Sequence, residues 1–178
     1  MALRHIRIYG DEILTKACRP VQMMTPRTKI LIRDMLDTMY DANGVGLAAP
    51  QVGILKQIVV IDIGEEGDGN GNTDADGNSS SPLVLVNPEI LETSGEQTGQ
   101  EGCLSLPGQA GMVTRPNYVK VKAFDENMHE RIIEGTELLA RAICHECDHL
   151  KGIMYVEKVE GDLFEVTDEP EDGGTDGK

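Results

Sequence analysis

Between residues 25 and 43 the apolar side chains of Leu31, Ile32, Met35, Leu36 and Met39 recur at the spacing of a helix with one buried face. Thr25 can cap such a helix and Pro26 suits its first turn, so the pattern predicts the first long helix here. The period then shortens. QIVVIDI (57–63) and LVLVNPEILE (83–92) read as strands, GQEGCLSLPG (99–108) continues the strand-like material, and YVKVKAF (118–124) alternates Val119, Val121 and Ala123 against Lys120 and Lys122. Asp125 to Glu130 reads as a turn, with RIIEG (131–135) pairing back as the second arm of a hairpin. Helical spacing returns at 136–152, where Thr136 can cap, Glu137 suits the first turn, Leu138, Leu139, Ala142 and Ile143 form an apolar face, and Gly152 can end the helix. Ile153 to Phe164 is left for a short closing element, and no internal repeat is visible.

Two stretches break the pattern. Residues 64–82, GEEGDGNGNTDADGNSSSP, and the tail EVTDEPEDGGTDGK from Glu165 are acidic, rich in glycine and nearly devoid of side chains to bury, which reads as a flexible loop and a disordered tail. A calcium loop counted from Asp68 fails, because its sixth position is Thr73 and its twelfth is Ser79. The expected organisation is therefore one domain over 1–164, the loop within it, and a tail over 165–178. With 39% hydrophobic residues in 178, such a domain can bury a sizeable core, and with no tryptophan and two phenylalanines, aliphatic residues and eight methionines must fill it.

The formal charge of −15 argues against nucleic-acid binding, although much of it sits in those two segments. The start MALRHIRIYGDEIL shows no targeting signal, and no apolar run reaches the roughly 18 residues of a membrane span, so a soluble, cytoplasmic protein is expected. Four cysteines, Cys18, Cys103, Cys144 and Cys147, would then be reduced, and metal ligation is the better use for at least one of them.

The chemistry is spelled most clearly by His145-Glu146-Cys147-Asp148-His149. Histidines four apart stand above one another on one helix face, close enough to hold a single metal ion, and Glu146 falls on the flank, suited to taking a proton from an activated water. Such a pair can equally be ordinary core residues. Glu146 between them favours the metal, and their position on the Leu138/Ala142 side predicts that they face the interior. A third ligand is wanted. Cys147 points roughly 160–200° away at about 100° per residue and Cys144 is also off-face. Cys103, among small and turn-forming residues in EGCLSLP, can present a thiolate, and the fourth position would stay open as in catalytic sites. GVGLAAPQ (44–51) superficially matches a dinucleotide-binding fingerprint, but a helix precedes it and a strand follows, the reverse of what that fold requires. Its small residues instead suggest close approach of a ligand or of a neighbouring strand.

Taken together and in this order, GVGLAAPQ at 44–51, EGCLS at 101–105 and HECDH at 145–149 resemble the three motifs of the peptide deformylases, over essentially residues 1–164. The resemblance implies an α+β single domain, mixed but mainly antiparallel sheets around a central C-terminal HExxH helix. It implies hydrolysis of the N-terminal formyl group from newly made formyl-methionyl peptides. In that family's scheme Cys103, His145 and His149 would hold the metal, Glu146 would be general base and acid, and Gln51 with the backbone N–H of Leu104 would stabilise the oxyanion. Val45 and Gly46 would bind substrate as an added strand, with an apolar pocket for methionine. Ferrous iron is the implied metal, although zinc, nickel or cobalt would suit the same donors. Nascent peptides are the implied partners, with transient ribosome contact and neither nucleic-acid motif nor membrane. A zinc peptidase of the His-Glu-x-x-His type is the rival reading, and would draw its third ligand from Glu157, Glu160 or Glu165. A calcium or interaction module built on the acidic segments is a more distant rival.

Overall fold

The computed structural model describes residues 2–64 and 82–166, so the expected acidic loop and tail fall almost wholly outside the described residues. The first long helix, α1, spans Pro26–Asp41, with the Thr25 hydroxyl accepting from the Thr28 amide as its N-cap. Strands β1 (Gly46–Ala48), β2 (Ile58–Ile61), β3 (Leu83–Ser94), β6 (Tyr118–Phe124) and β7 (Glu130–Thr136) form one antiparallel sheet in the order β1-β2-β3-β6-β7. A second antiparallel sheet, β4-β5-β8, comprises Gln97–Cys103, Leu106–Arg115 and Val159–Glu165. The motif helix α2, Glu137–Leu150, packs against strands of both sheets. This is the expected α+β single domain. Among the described residues no helix is long and apolar enough to cross a membrane.

Strand β2 explains how one sheet serves two helices. All four of its residues are buried, and they alternate sides: Val59 and Ile61 join the core under α2, while Ile58 and Val60 join the core under α1. Leu139, Ala140, Ile143, Cys144, Cys147 and Leu150 form the inner stripe of α2 against Leu85, Val119, Val121 and Ala123. On the opposite face Leu31, Ile32, Met35 and Met39 of α1 meet Leu47 and Val86. The expected hairpin is present, with Phe124 opposite Glu130 and Tyr118 opposite Thr136, and its turn is tied by the Asp125 carboxylate accepting from the Asn127 and His129 amides.

Three features depart from the sequence reading. First, β5 extends through Arg115, where the pattern gave no strand beyond residue 108. Second, Leu138 at the start of α2 is 45% exposed and borders an open cleft, while further along the same side Ala142, His145 and His149 are buried as expected; the main core stripe runs through Leu139 and Ile143. Third, the closing element is a 3-10 turn, Tyr155–Glu157, followed by β8, which includes Glu165; the Val166 amide then donates to the Gly108 carbonyl.

The end of α2 is fixed by Gly152, which has φ +78° and packs where an added Cβ would run into the Thr15 backbone. Gly152→Ala therefore meets both a left-handed backbone and a backbone clash, and we expect a loss of about 2 kcal/mol or more in a urea unfolding titration.

Candidate functional site

The cleft bordered by α2 has a volume of about 620 Å³ and is walled by β1 residues and the loop before it, by β4 and β5, and by Leu138, Arg141, Ala142, His145 and Glu146 of the helix. Strand β1 is an edge strand of its sheet, so pairing with β2 uses one side of its backbone and leaves the other unpaired in the sheet order. Val45 and Gly46 line the cleft beside it.

At the cleft floor Cys103, at the end of β4, meets His145 and His149, one helix turn apart on α2. Cys103 Sγ lies 3.3 Å from His149 Nε2, the two Nε2 atoms are 3.2 Å apart, and all three ligand atoms fall within 4.8 Å of one another. A tetrahedral ion with bonds of about 2.0–2.3 Å holds its ligand atoms roughly 3.3–3.7 Å apart, close to the two separations at His149, so this thiol and imidazole set suits a divalent cation. Cys147 and Cys144 do not join it. Both are buried in the core under α2, where burial pushes the Cys147 thiol up to about 12. The downstream carboxylates wanted by a zinc-peptidase reading are also absent from this cluster among the described residues; Glu160 instead accepts from the Thr114 hydroxyl.

Glu146 sits on the flank as expected and is 5% exposed; its Oε1 lies 4.0 Å from His145 Nε2 and its Oε2 is buried without a hydrogen-bond partner among the described residues. Burial pushes its carboxyl up to about 7. Gly46 makes room for it: a Cβ there would stand 2.6 Å from Glu146 Oε1. The small residue anticipated as an approach point for ligand or strand is thus also required by the helix carboxylate. Gln51, on the 3-10 turn Ala49–Val52, is 1% exposed. Its Oε1 accepts from the Ala48 amide at 2.9 Å, which turns Nε2 toward the site, 3.0 Å from Ser105 Oγ and 3.5 Å from Cys103 Sγ. Leu104 lines the cleft in the turn between β4 and β5.

Four residues not singled out from the sequence hold these groups in place. Glu101, 6% exposed, accepts from Arg115 Nη2 at 2.6 Å and from Arg141 Nη1 at 3.0 Å, and its Oε2 lies 2.7 Å from His145 Nδ1. Arg115 also bridges to Asp148 at 2.6 Å. A carboxylate on Nδ1 fixes the imidazole's orientation and turns the Nε2 lone pair toward a metal. Burial works against the Glu101 charge, yet bonds from His145 and Arg115 bring its carboxyl down to about 2. Burial likewise disfavours charge on both histidines. The Cys103 and Glu101 contacts nevertheless raise His145 well above the usual value, whereas His145 and Arg115 help push His149 well below it. One signal was available in the sequence: Glu101 and Cys103 are two apart in a strand and so share a face.

Comparison with known proteins agrees with this geometry. The family model described as polypeptide deformylase matches residues 3–163. Peptide deformylase from Lachnoclostridium phytofermentans is 60% identical over 94% of this chain and 95% of its own length, and that from Agathobacter rectalis is 62% identical over 94% and 96%. Among solved structures, peptide deformylase from Thermotoga maritima superposes with a TM-score of 0.79 at 34% identity, covering 90% of this chain and 100% of that one. The enzyme from Synechococcus elongatus in complex with actinonin gives 0.77 at 41% identity, covering 88% and 78%. The match over residues 3–163, together with a Cys-His-His cluster flanked by a buried carboxylate, shows that the chain belongs to the polypeptide deformylase family.

Proposed function

We propose that this chain carries out the family's reaction, metal-dependent hydrolysis of the formyl group from N-terminal formyl-methionine, with Cys103, His145 and His149 as metal ligands and Glu146 as the proton-transfer group. The convergence of three donor atoms within 4.8 Å beside an unpartnered buried carboxylate carries this reading. When bound, a divalent cation supplies Lewis acidity at the open end of the cluster. Glu146 accepts the proton of the attacking water and returns it to the departing amine, for which a carboxyl raised by burial is well matched. Gln51 Nε2 and the Leu104 N–H donate to the oxygen that gains charge; the Ala48 amide holds the Gln51 side chain, and the long 3.5 Å contact of Nε2 with Cys103 is the one it gives up. The free edge of β1 takes the peptide backbone at Val45 and Gly46, and the cleft beyond Ala142 takes the methionine side chain.

Ferrous iron is the proposed metal; the same donors accommodate zinc, nickel and cobalt. The proposed setting is cytoplasmic, on nascent chains with transient ribosome contact, and the proposed catalytic unit ends with β8, leaving the acidic segments outside the chemistry. Turnover of formyl-Met-Ala-Ser under anaerobic conditions with added iron tests this reading: release of formate that a chelator abolishes is expected, and cleavage of casein without formate release would overturn it.

Gly46→Ala offers a narrower check. The new methyl displaces the Glu146 carboxylate without touching a ligand, so kcat should fall about 10- to 100-fold while metal content, read by atomic absorption, stays at the wild-type level.

A further inference from the structure

The N-terminal segment, which belongs to none of the three motifs, is bonded to two of them. The Arg7 amide donates to the Gln51 carbonyl and the Tyr9 amide to the Ser105 carbonyl, both at 2.7 Å. Ile6, beside them, lines the cleft. Ser105 is buried, and its hydroxyl accepts from Gln51 Nε2 at 3.0 Å. Arg7–Tyr9 thus ties the backbones of two residues that are 54 positions apart in the chain and are joined to each other through their side chains.

Both oxyanion donors depend on these two residues. Strands β4 and β5 pair as far as Cys103 and Leu106, so Leu104 and Ser105 are the two central residues of the turn between them. The Leu104 N–H is therefore carried on a turn whose place is set by its flanks, Cys103 on one side and Ser105 on the other. Gln51 is held through its side chain by the Ala48 amide and through its carbonyl by Arg7. Donors aimed at a developing charge work by being fixed in advance, and a displacement of about 1 Å can cost up to about 10²-fold in rate.

We infer that Arg7–Tyr9 is a positioning clasp: its two backbone bonds hold Gln51 and the Leu104–Ser105 turn in fixed relation, so that both oxyanion donors converge on one place. The inference rests on the deformylase reading and adds to that site a part of the chain that supplies neither a ligand nor a donor to the substrate. Tyr9→Pro tests it with little local disturbance. Ile8 to Asp11 form a turn closed by the Asp11 amide on the Ile8 carbonyl, with φ +103° at its third residue, Gly10. Proline is favoured at the second position of such a turn, so the substitution deletes the Tyr9 N–H and keeps the turn. The Tyr9 side chain is 55% exposed, and Tyr9→Ala, which retains the N–H, is the control.

With metal-loaded protein and formyl-Met-Ala-Ser, Tyr9→Pro should lower kcat about 3- to 30-fold, with KM within about twofold and metal content unchanged, while Tyr9→Ala stays near wild type. In a Gln51→Ala background the proline should cost less than in the wild-type background, because one of the donors it aligns is gone. A chain with an ester in place of the Ile8–Tyr9 amide, made by ligating a synthetic 1–17 peptide to Cys18, removes the same N–H without a ring and decides the matter if the proline variant does not fold. Wild-type kcat in the folded proline or ester protein would overturn the inference. So would a change in KM alone, loss of metal, an equal loss in Tyr9→Ala, or the same loss in both backgrounds. If the wild type releases no formate from the peptide, the functional reading fails and takes this inference with it.

Discussion

Glu146→Gln should lower kcat by about 10²- to 10⁴-fold, the usual worth of a positioned general base, with KM little changed and metal fully retained. The substitution is nearly isosteric, so it keeps the packing against Gly46, where the wild-type carboxylate already fills the available space. It removes a carboxylate oxygen, Oε2, that is buried and without a partner among the described residues and so is free to accept a proton. Metal content and a stopped formate assay separate the two interpretations of any loss. Wild-type kcat in the Gln protein would remove Glu146 from the proton-transfer role, and loss of metal would make it a ligand. Glu146→Asp keeps the charge but withdraws it by about one C–C bond, so it should be less damaged than Gln and still severely slowed.

The second large effect is expected at Cys103. Cys103→Ala should abolish stoichiometric metal binding and activity together, because it deletes one of three donors and leaves only the His145 and His149 pair. Cys147→Ala is the control. That thiol lies two positions from each helix ligand in sequence yet is buried in the core under α2, so its loss should cost stability and leave metal content near wild type. Equal metal loss from both variants, read by atomic absorption on folded protein, would refute the ligand set.

The helix with its two histidines was legible because its pattern is local: caps, stops and a four-residue interval are all written within 17 positions. Even there, angular reasoning fixed which residues share a face without fixing what that face meets, and Leu138 turned out to border a cleft. Strand β5 was obscured by Pro107, Gly108 and Gly111; Gly111 is needed because a Cβ there would press into Val159 of β8, a contact that no local pattern reveals. The network of Glu101, Arg115, Arg141 and Asp148 joins β4, β5 and α2 across as many as 40 residues. Charged residues read singly look like solvated surface, and only the tertiary arrangement buries and pairs them. Cys103 was within reach because its neighbours are small, and Gln51 only through the resemblance of its motif.

Cys103 and His149 are 46 positions apart, one on the three-stranded sheet and the other on the helix packed against both sheets. An ion bound by both closes that length of chain as a covalent cross-link would, and the loop-closure relation for such links gives about 4 kcal/mol as an upper measure of the effect. On the proposed ligand set the cation would be a fastener as well as a reagent. Oxidation of the thiolate or capture of the metal by a chelator would remove that tie at the same moment that it ends turnover, leaving the Glu101, Arg115, Arg141 and Asp148 network to hold β4 and β5 to the helix. A metal-free protein should then be less stable to unfolding and more readily cleaved by a protease than the loaded one.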